Sequence, residues 1–589
     1  MIFPELKKYD HIAIDTETNG IDRHGSSMPV GVSVAVPGNS WYFAFGHPSG
    51  NNCTVEELKA WCHVTLRAPR ISLVNPSYDI HMVSKIGVNL DEMGSTVRGV
   101  QYACALLDET RRHYDLKSMA WDYLKKDKLE LDPKEIHKMP GNMVAPYAKK
   151  DAELTLELDN YFAPLLAEQG LLEVSQLEND LIYSTLYMER QGVHLDMDKL
   201  YQWYKQCEER CVELEARIPV NVNSGKQLEP FFQSLGIKNF WRTEKDAASF
   251  TEDALLQYRV EYIDNAKIVA AIDEVLKLRS LRSIRDKYLG KYIKGVDQYG
   301  LLRYNLHQCR STDSGTVTGR YSSSNVNIQQ VSAEEKQSDH TRDWIIRELF
   351  VPAKGTAWGS ADASQIEFRL FAHYARANRL IEAYNTDPTT DYHSWVAEQT
   401  GLIRKIAKNI NFMMVYGGGV NKYAREVKVS LAKANEFFDK YNKEFPEARV
   451  IMNTAIRIAK KKGYVTTLLG RRRRYQPGDR FYSALNAVLQ GSAADIMKKK
   501  ILAVYKNMKT LNFNLRFTVH DEINGDVEPG SDMKKVRELL NTQDFPLRVP
   551  ILWDCKVGTN WRLNEKSMVA SKVKIKPGGV PKQLKRKSR

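Results

Sequence analysis

The first 45 residues alternate between apolar runs ("HIAID", "VGVSVAV", "WYFAF") and turn residues. A period of two predicts the strands of one sheet. Helical patterning starts near Leu116, which predicts an α/β domain ending near residue 165. From Leu171 to Leu289 the pattern is mostly helical and charged, interrupted by "VNVNSGKQLEP", whose turn chemistry predicts a helix cap. Residues 300–330 are rich in Ser, Thr, Asn and Gln and read as loop and short strand. "TAWGSADASQIEFRLFAHYA" predicts a strand running into a helix, and long helices are expected from about 380 to 510. "RFTVHDEINGDV" reads as a hairpin turning at Asn524-Gly525. The chain is therefore expected to be multidomain, α/β followed by α+β.

Within the helical stretch, "RKIAKNINFMMVYGGG" spaces Arg404, Lys408, Phe412 and Tyr416 four residues apart. That spacing puts them on one helix face, and Gly417, Gly418 and Gly419 supply a stop. The stripe begins as cations and ends as ring faces. It suits a polyanion at one end and a planar group at the other, although an ordinary amphipathic helix shares the spacing.

Composition narrows the class. The chain has 589 residues, 43% of them hydrophobic and 27% charged, as in a globular protein. No apolar run reaches membrane-spanning length, and the N-terminus lacks a signal peptide's cleavage pattern, so a cytoplasmic protein is expected. The seven cysteines form no CxxC and read as reduced thiols without a zinc site. The net charge is +14, but nine Lys or Arg and no acid follow Glu565. The body is thus of mixed sign, and a polyanion site there must be a local groove. The tail, residues 566–589, reads as disordered and could add non-specific nucleic-acid affinity.

The candidate chemistry lies in paired acids. "AIDTETNG" places Asp15 and Glu17 on one side of a strand. "NPSYD" gives Asn75 and Asp79 at i, i+4, and "YAKKD" gives Tyr147 and Asp151 at the same spacing. One such pair is common on surfaces. Four acids meeting at one sheet edge would repel unless cations bound them, and hard oxygen ligands suit Mg²⁺ or Mn²⁺. Two such ions can clamp the attacking and leaving oxygens of a phosphodiester. In the second half, "SADASQIEFR" and "TVHDEING" each end a strand in acid, so Asp362 and Asp521 could hold a second pair of ions if both strands share a sheet.

The three N-terminal motifs, with "YDLKSMA" from Tyr114 between the second and third, resemble those of DEDDy 3′→5′ proofreading exonucleases. The resemblance implies a ribonuclease H-like domain with Asp15, Glu17, Asp79 and Asp151 as metal ligands and Tyr147 orienting the attacking water. "DASQIEFR", "RKIAKNINFMMVYG" and "VHDE" resemble motifs A, B and C of family A DNA polymerases. "TGRYSSSNVNIQQV" from Thr318, "LNAVLQGSAADIMK" from Leu485, "GRRRRY", "DYHSW" and "VGTNW" are similar to further segments of that family, in its order.

By that resemblance the fold is an exonuclease domain joined to a right-hand polymerase of palm, fingers and thumb. The implied limits are 1–168 for the exonuclease and 169–565 for the polymerase. Within the latter the thumb is about 171–300, the palm about 301–375 and 476–565, and the fingers about 376–475. The implied metal ligands are Asp362, the backbone carbonyl of Ala363, and Asp521, with Glu522 an accessory acid and two ions in each active site. Arg404, Lys408 and His393 would contact the triphosphate, and Lys408 would protonate the leaving pyrophosphate. Gln365, Glu367, Phe412 and Tyr416 would line the nucleotide site, Glu367 crowding the sugar 2′ position. Arg320, Asn327, Gln329, Asn486, Gln490 and His520 would contact DNA.

Three positions depart from the family pattern: Ala363 where Tyr is usual, Met413 where a small residue is usual, and Tyr482 where many relatives carry Arg. Phe412, where some relatives carry Tyr, implies poor use of dideoxynucleotides. Expected partners are a DNA primer-template and dNTPs, with a processivity factor, helicase or single-strand-binding protein as further candidates. A monomer is expected, and a phage-infected bacterial host is expected because the chain begins about ten residues before the exonuclease strand, leaving no room for a 5′-nuclease domain, a plan that resembles phage replicative enzymes. A single-subunit RNA polymerase shares versions of motifs A, B and C, but Glu367, Phe412 and a proofreading domain argue against it.

Overall fold

The computed structural model describes residues 3–562 apart from 67–69, 244, 313, 332–343, 428 and 532. The basic tail, expected to be disordered, lies outside the described residues.

The alternating N-terminal runs form one five-stranded sheet in the order β3-β2-β1-β4-β5. The strands are β1 (His11–Thr18), β2 (Pro29–Val36), β3 (Asn39–Ala44), β4 (Arg70–Leu73) and β5 (Thr96–Gly99). The central strand β1 runs antiparallel to β2 and parallel to β4. Helix α1 (Pro76–Lys85) follows β4, and the long α2 (Gly141–Glu168) lies across β1, β2 and β3. β2 is buried at every position, as a strand covered on both faces must be. At the start of α2, a Cβ on Gly141 would lie 2.6 Å from the Ala44 Cβ, so glycine permits the helix to meet β3 closely.

Residues 172–295 are mostly helical, and the helices Met197–Arg217 and Ala266–Ile284 pack on each other. The expected cap in "VNVNSGKQLEP" is positional only. Ser224 precedes helix Gly225–Leu235 without a side-chain capping bond, and Gln227 instead accepts from the Asn221 backbone N at 2.7 Å.

The second sheet contains β6 (Ala357–Ala363), β7 (Phe513–Val519), β8 (Glu522–Val527) and β9 (Trp553–Gly558) in the order β7-β8-β6-β9. All three pairings are antiparallel. Phe350, Trp358, Phe517 and Trp561 pack edge-on, tilted and, for Trp358 on Trp561, stacked, with ring centroids 5.0–6.3 Å apart. Each large ring buried this way contributes both area and a preferred contact geometry. β6 leads into α3 (Ile366–Ala375), as expected.

The hairpin turn is not at Asn524-Gly525. The register pairs Val519 with Glu522, so His520 and Asp521 form a two-residue turn, with His520 at φ +52°. Asn524 and Gly525 sit within β8. Asn524 is fully buried and accepts from the Trp358 indole at 3.1 Å. A Cβ on Gly525 would meet the Asn514 carbonyl oxygen at 2.3 Å. Burial and close packing, not a turn, account for that dipeptide. The expected helical run from 380 to 510 is also broken, by a strand pair Tyr464–Thr466 and Arg472–Arg474.

Two buried acids tie distant segments together, Glu189 joining the N-terminal domain to the rest and Glu178 joining segments outside that domain. Glu189, fully buried, accepts from Ser77 (3.0 Å), His81 (3.0 Å) and the Leu306 backbone N (2.6 Å), and pairs with Arg23 at 3.4 Å. Glu178 takes Lys498 at 2.6 Å and Arg471 at 2.5 Å.

Candidate active sites

At the first site, strand β1 presents Asp15 and Glu17 from one side, and α2 brings Tyr147 and Asp151 over them one helical turn apart. Carboxylate oxygens of Asp15, Glu17 and Asp151 lie within 4.8 Å of one another. Asp79, on the first turn of α1, accepts from Thr16 Oγ1 at 2.7 Å. Asn75 stands at the N-cap of α1. Burial, then Asp79, Asp151 and Glu17, push the Asp15 carboxyl well above its usual range. Burial and Asp151 raise Glu17 to about 8, and burial raises Asp79 to about 7. Glu17 Oε1 and Asp151 Oδ1 are buried without a hydrogen-bond partner. Unpartnered buried carboxylate oxygens within one acid cluster are costly and fit a hard cation.

At the second site, β6 and β8 bring distant acids together. Asp362 pairs in register with Glu522, and Ala363 N donates to the Asp521 carbonyl at 2.9 Å. Asp362 is accessible to solvent, yet protein packs closely around its carboxyl. Burial there, then Glu522 and Asp521, raise its pKa to about 7. Burial also raises Asp521, opposed by Arg320. Arg320 pairs with Glu367 at 2.5 Å and with Asp521 at 3.4 Å. Glu522 is differently employed: Oε1 accepts from Ser360 and Trp561, and Oε2 from Arg347.

The cation-to-ring stripe is present on α5 (Arg404–Val415), which ends at Tyr416 with Gly417 at φ +69°. Arg404 is held by Asp391 at 2.7 Å. Lys408 makes no ion pair with the described residues. The Phe412 and Tyr416 rings are parallel within 16° at 5.9 Å, and Tyr416 donates its hydroxyl to Glu367 at 3.2 Å. His393, on α4 (Tyr392–Thr400), packs its ring against Phe368 and Phe412. Its Nδ1 accepts from Asn411 at 3.0 Å, leaving Nε2 as the donor. Burial lowers its pKa to about 4, so the ring is neutral.

Gln365 does not face the cleft's acids: its amide donates to Asp391 and accepts from the Tyr392 backbone N. Gln329 is occupied in bracing the β7–β8 turn, donating to the Thr518 carbonyl and accepting from His520 N at 3.3 Å. Asn327 caps the short turn Ile328–Gln330. On α6 (Ala484–Leu511), Asn486 and Gln490 lie one turn apart. Asn486 Oδ1 is buried without a partner, and Gln490 approaches the Tyr416 side chain.

Three residues escape sequence reasoning. Asp391 organises Arg404, Gln365 and His393; it opens the segment "DYHSW", but nothing in the sequence marks these partners. Asn411 fixes the His393 tautomer and gives no signal beyond its place on α5. Lys128 reaches Asp151 at 2.5 Å from a lysine-rich loop that reads as solvated.

A sequence model described as DNA polymerase family A matches residues 194–563, and one described as 3′–5′ exonuclease matches residues 1–167. The DNA polymerase DpoZ of Salmonella phage PMBT28 is 30% identical over 95% of this chain and 98% of its own length. DNA polymerase I of Caldicellulosiruptor bescii is 30% identical over 78% of this chain but only 54% of its own. The polymerase domain of Pol1 from M. smegmatis, solved in complex with DNA primer-template and dNTP, superimposes with a TM-score of 0.80 at 24% identity, covering 95% of this chain and 97% of that one. Enzymes of both matched families are metal-dependent. No helix of the described residues is long and apolar enough to cross a membrane.

Proposed function

The chain belongs to DNA polymerase family A and carries a 3′–5′ exonuclease domain, and from that premise we propose that its two acid clusters perform opposite reactions on one DNA strand. The observation that carries this reading is the pair of convergent carboxylate groups on separate sheets, each with acids pushed toward protonation by burial and mutual repulsion.

In the polymerase cleft, Asp362, Asp521 and the carbonyl of Ala363 hold the metal ions. In the exonuclease cleft Asp15, Glu17, Asp79 and Asp151 do so. Mg²⁺ or Mn²⁺, two ions per site, activates the attacking oxygen and stabilises the leaving one when bound. Glu522 stiffens β8 behind Asp362, since Ser360, Trp561 and Arg347 engage its carboxylate.

Arg404 leaves Asp391 to grip the triphosphate, joined by Lys408 and by the neutral His393 donating from Nε2. Lys408 then delivers a proton to the leaving pyrophosphate. Phe412 packs on the incoming sugar and base. Glu367 crowds the 2′ position and excludes ribonucleotides. Tyr416 yields its place over Glu367 when the new pair enters. Arg320, Asn486 and Gln490 test minor-groove acceptors common to all correct pairs. Gln365, Gln329, Asn327 and His520 shape this cleft more than they touch its ligands. Tyr147 orients the water that attacks the 3′-terminal phosphodiester.

The assignment of thumb, palm and fingers to the limits given above belongs to the same reading. So do monomeric action on primer-template and dNTPs, a processivity factor, helicase or single-strand-binding protein as partners, and a replicative role in the cytoplasm of a phage-infected cell.

The test uses a labelled primer on a longer template with Mg²⁺, with and without dNTPs. Wild type should extend with dNTPs and degrade from the 3′ end without them. Asp362→Ala should lose only extension and Asp15→Ala only degradation. Loss of both activities in either variant would defeat the two-site assignment.

A further inference from the structure

The loop between residue 124 and the turn at Ile136 carries four lysines that behave differently, of which Lys134 is exposed. Lys126 pairs with Glu157 on the surface, and Lys125 donates to the Asp122 carbonyl. Lys128 alone turns inward. Its ammonium lies 2.5 Å from Asp151 Oδ2 and 4.8 Å from the centre of the Tyr147 ring, with its side chain only 20% exposed. It is the cation whose field reaches Asp15, Glu17 and Asp151 together.

Two further observations say what this cation is for. The other oxygen of the same carboxylate, Asp151 Oδ1, is buried without a partner, as is Glu17 Oε1. Lys128 therefore occupies one oxygen of Asp151 and leaves the other unpaired. Lys128 and Tyr147 also line an open groove of about 480 Å³ next to the acid cluster, which Lys117, Asp115, Glu130 and Asp132 line as well. That volume lies within the range of nucleotide-sized ligand sites. A lysine ammonium carries three donors on a flexible stem, so the bond to Asp151 and the contact with Tyr147 leave a donor for a ligand in the groove. Beside acids that strongly repel an anionic ligand, a fixed positive charge at the groove wall is where a phosphate oxygen would be held.

We propose that Lys128 is a phosphate-binding residue of the exonuclease site, contacting a non-bridging oxygen of the 3′-terminal nucleotide while it remains braced on Asp151. The proposal rests on the exonuclease reading of Asp15, Glu17 and Asp151. It adds a protein cation to the groups that hold the leaving nucleotide.

The experiment uses the full chain carrying Asp362→Ala and Asp521→Ala, so that the polymerase acids do not take up metal. Mn²⁺ binding and, at saturating Mn²⁺, dTMP binding are measured by titration calorimetry for this protein and for its Lys128→Gln and Lys128→Arg derivatives. Lys128→Gln should weaken dTMP severalfold without weakening Mn²⁺, and Lys128→Arg should restore dTMP binding. Hydrolysis of a single-stranded oligonucleotide should fall in parallel with dTMP affinity. A purely structural brace on Asp151 would instead loosen Mn²⁺ binding in Lys128→Gln, and that result overturns the proposal. So does unchanged dTMP affinity. An Asp15→Ala derivative separates the two levels: if it keeps the same Mn²⁺ stoichiometry, the exonuclease-site assignment itself fails, whatever Lys128 does.

Discussion

The two acid clusters differ in how their charge is balanced. The N-terminal cluster gathers four carboxylates from a strand and two helices, with Lys128 as the cation beside them. Two of its carboxylate oxygens are left without partners. The C-terminal cluster is built on adjacent strands, and its charges are already distributed. Arg320 bridges Asp521 and Glu367, while Glu522 is committed to Ser360, Trp561 and Arg347. The first site is preorganised by helix packing on a sheet. The second is preorganised by strand register, with ion pairs that must be exchanged when a nucleotide enters. A hydrolytic site needs only to receive a strand end, whereas a synthetic site must close on the correct nucleotide.

That contrast is broken most severely by removing one acid from each side. Asp521→Ala should lower primer extension by about 10³-fold, roughly 4 kcal/mol of transition-state stabilisation, while leaving 3′-end hydrolysis within twofold. Asp79→Ala should do the reverse. Single-turnover rates in rapid quench decide it, and equal losses in both reactions would mean that the clusters are not independent.

The junction between the two regions offers the next largest effect. Burial alone would raise the Glu189 carboxyl, but Arg23 and His81, with His24 nearby, outweigh it and hold the pKa at about 2. A depressed carboxylate stabilises the fold above its unfolded pKa and loses that contribution as pH falls through the folded value. The stabilisation, on the order of 3 kcal/mol, should therefore be complete at neutral pH and disappear between about pH 4.5 and pH 2. Thermal unfolding across that window should show a steep fall in wild type and a flatter one in Glu189→Gln. Equal slopes would remove Glu189 from the account.

Sugar selection gives a smaller effect. Glu367→Ala should relax discrimination against ribonucleotides by roughly 10- to 100-fold, because Glu367 lies between Arg320 and Tyr416 where the sugar would pass. Competition between dNTP and rNTP in primer extension measures it, and undiminished discrimination would shift the role to Phe412. The smallest effect concerns residues 566–589. Their deletion should weaken DNA binding at low salt and little at high salt. Extension and hydrolysis should be affected alike, as shown by anisotropy titrations at two ionic strengths.

The sequence by itself determined the elements and the residues with reactive chemistry. The period-two runs became β1 to β3, the i, i+4 stripe became one face of α5, and the acids named from motifs do converge in two places. These signals are local: a strand or helix period is written in adjacent residues, and a DxE or YxxxD spacing survives in any fold that preserves the element. Only the tertiary structure decided how each polar group is employed. Asn524-Gly525 has the composition of a turn but lies inside a strand, because Trp358 supplies a buried partner and Asn514 approaches too closely for a side chain. Glu522 and Gln329 are polar residues beside the cleft whose hydrogen bonds turn out to be spent on Ser360, Trp561, Arg347 and the β7–β8 turn. The partners of Lys128 and Asp391 were not legible because they lie 23 and 13 residues away, at Asp151 and Arg404. Hydrogen bonds and ion pairs are satisfied in three dimensions, and which partner a buried polar group finds is fixed by packing rather than by its neighbours along the chain.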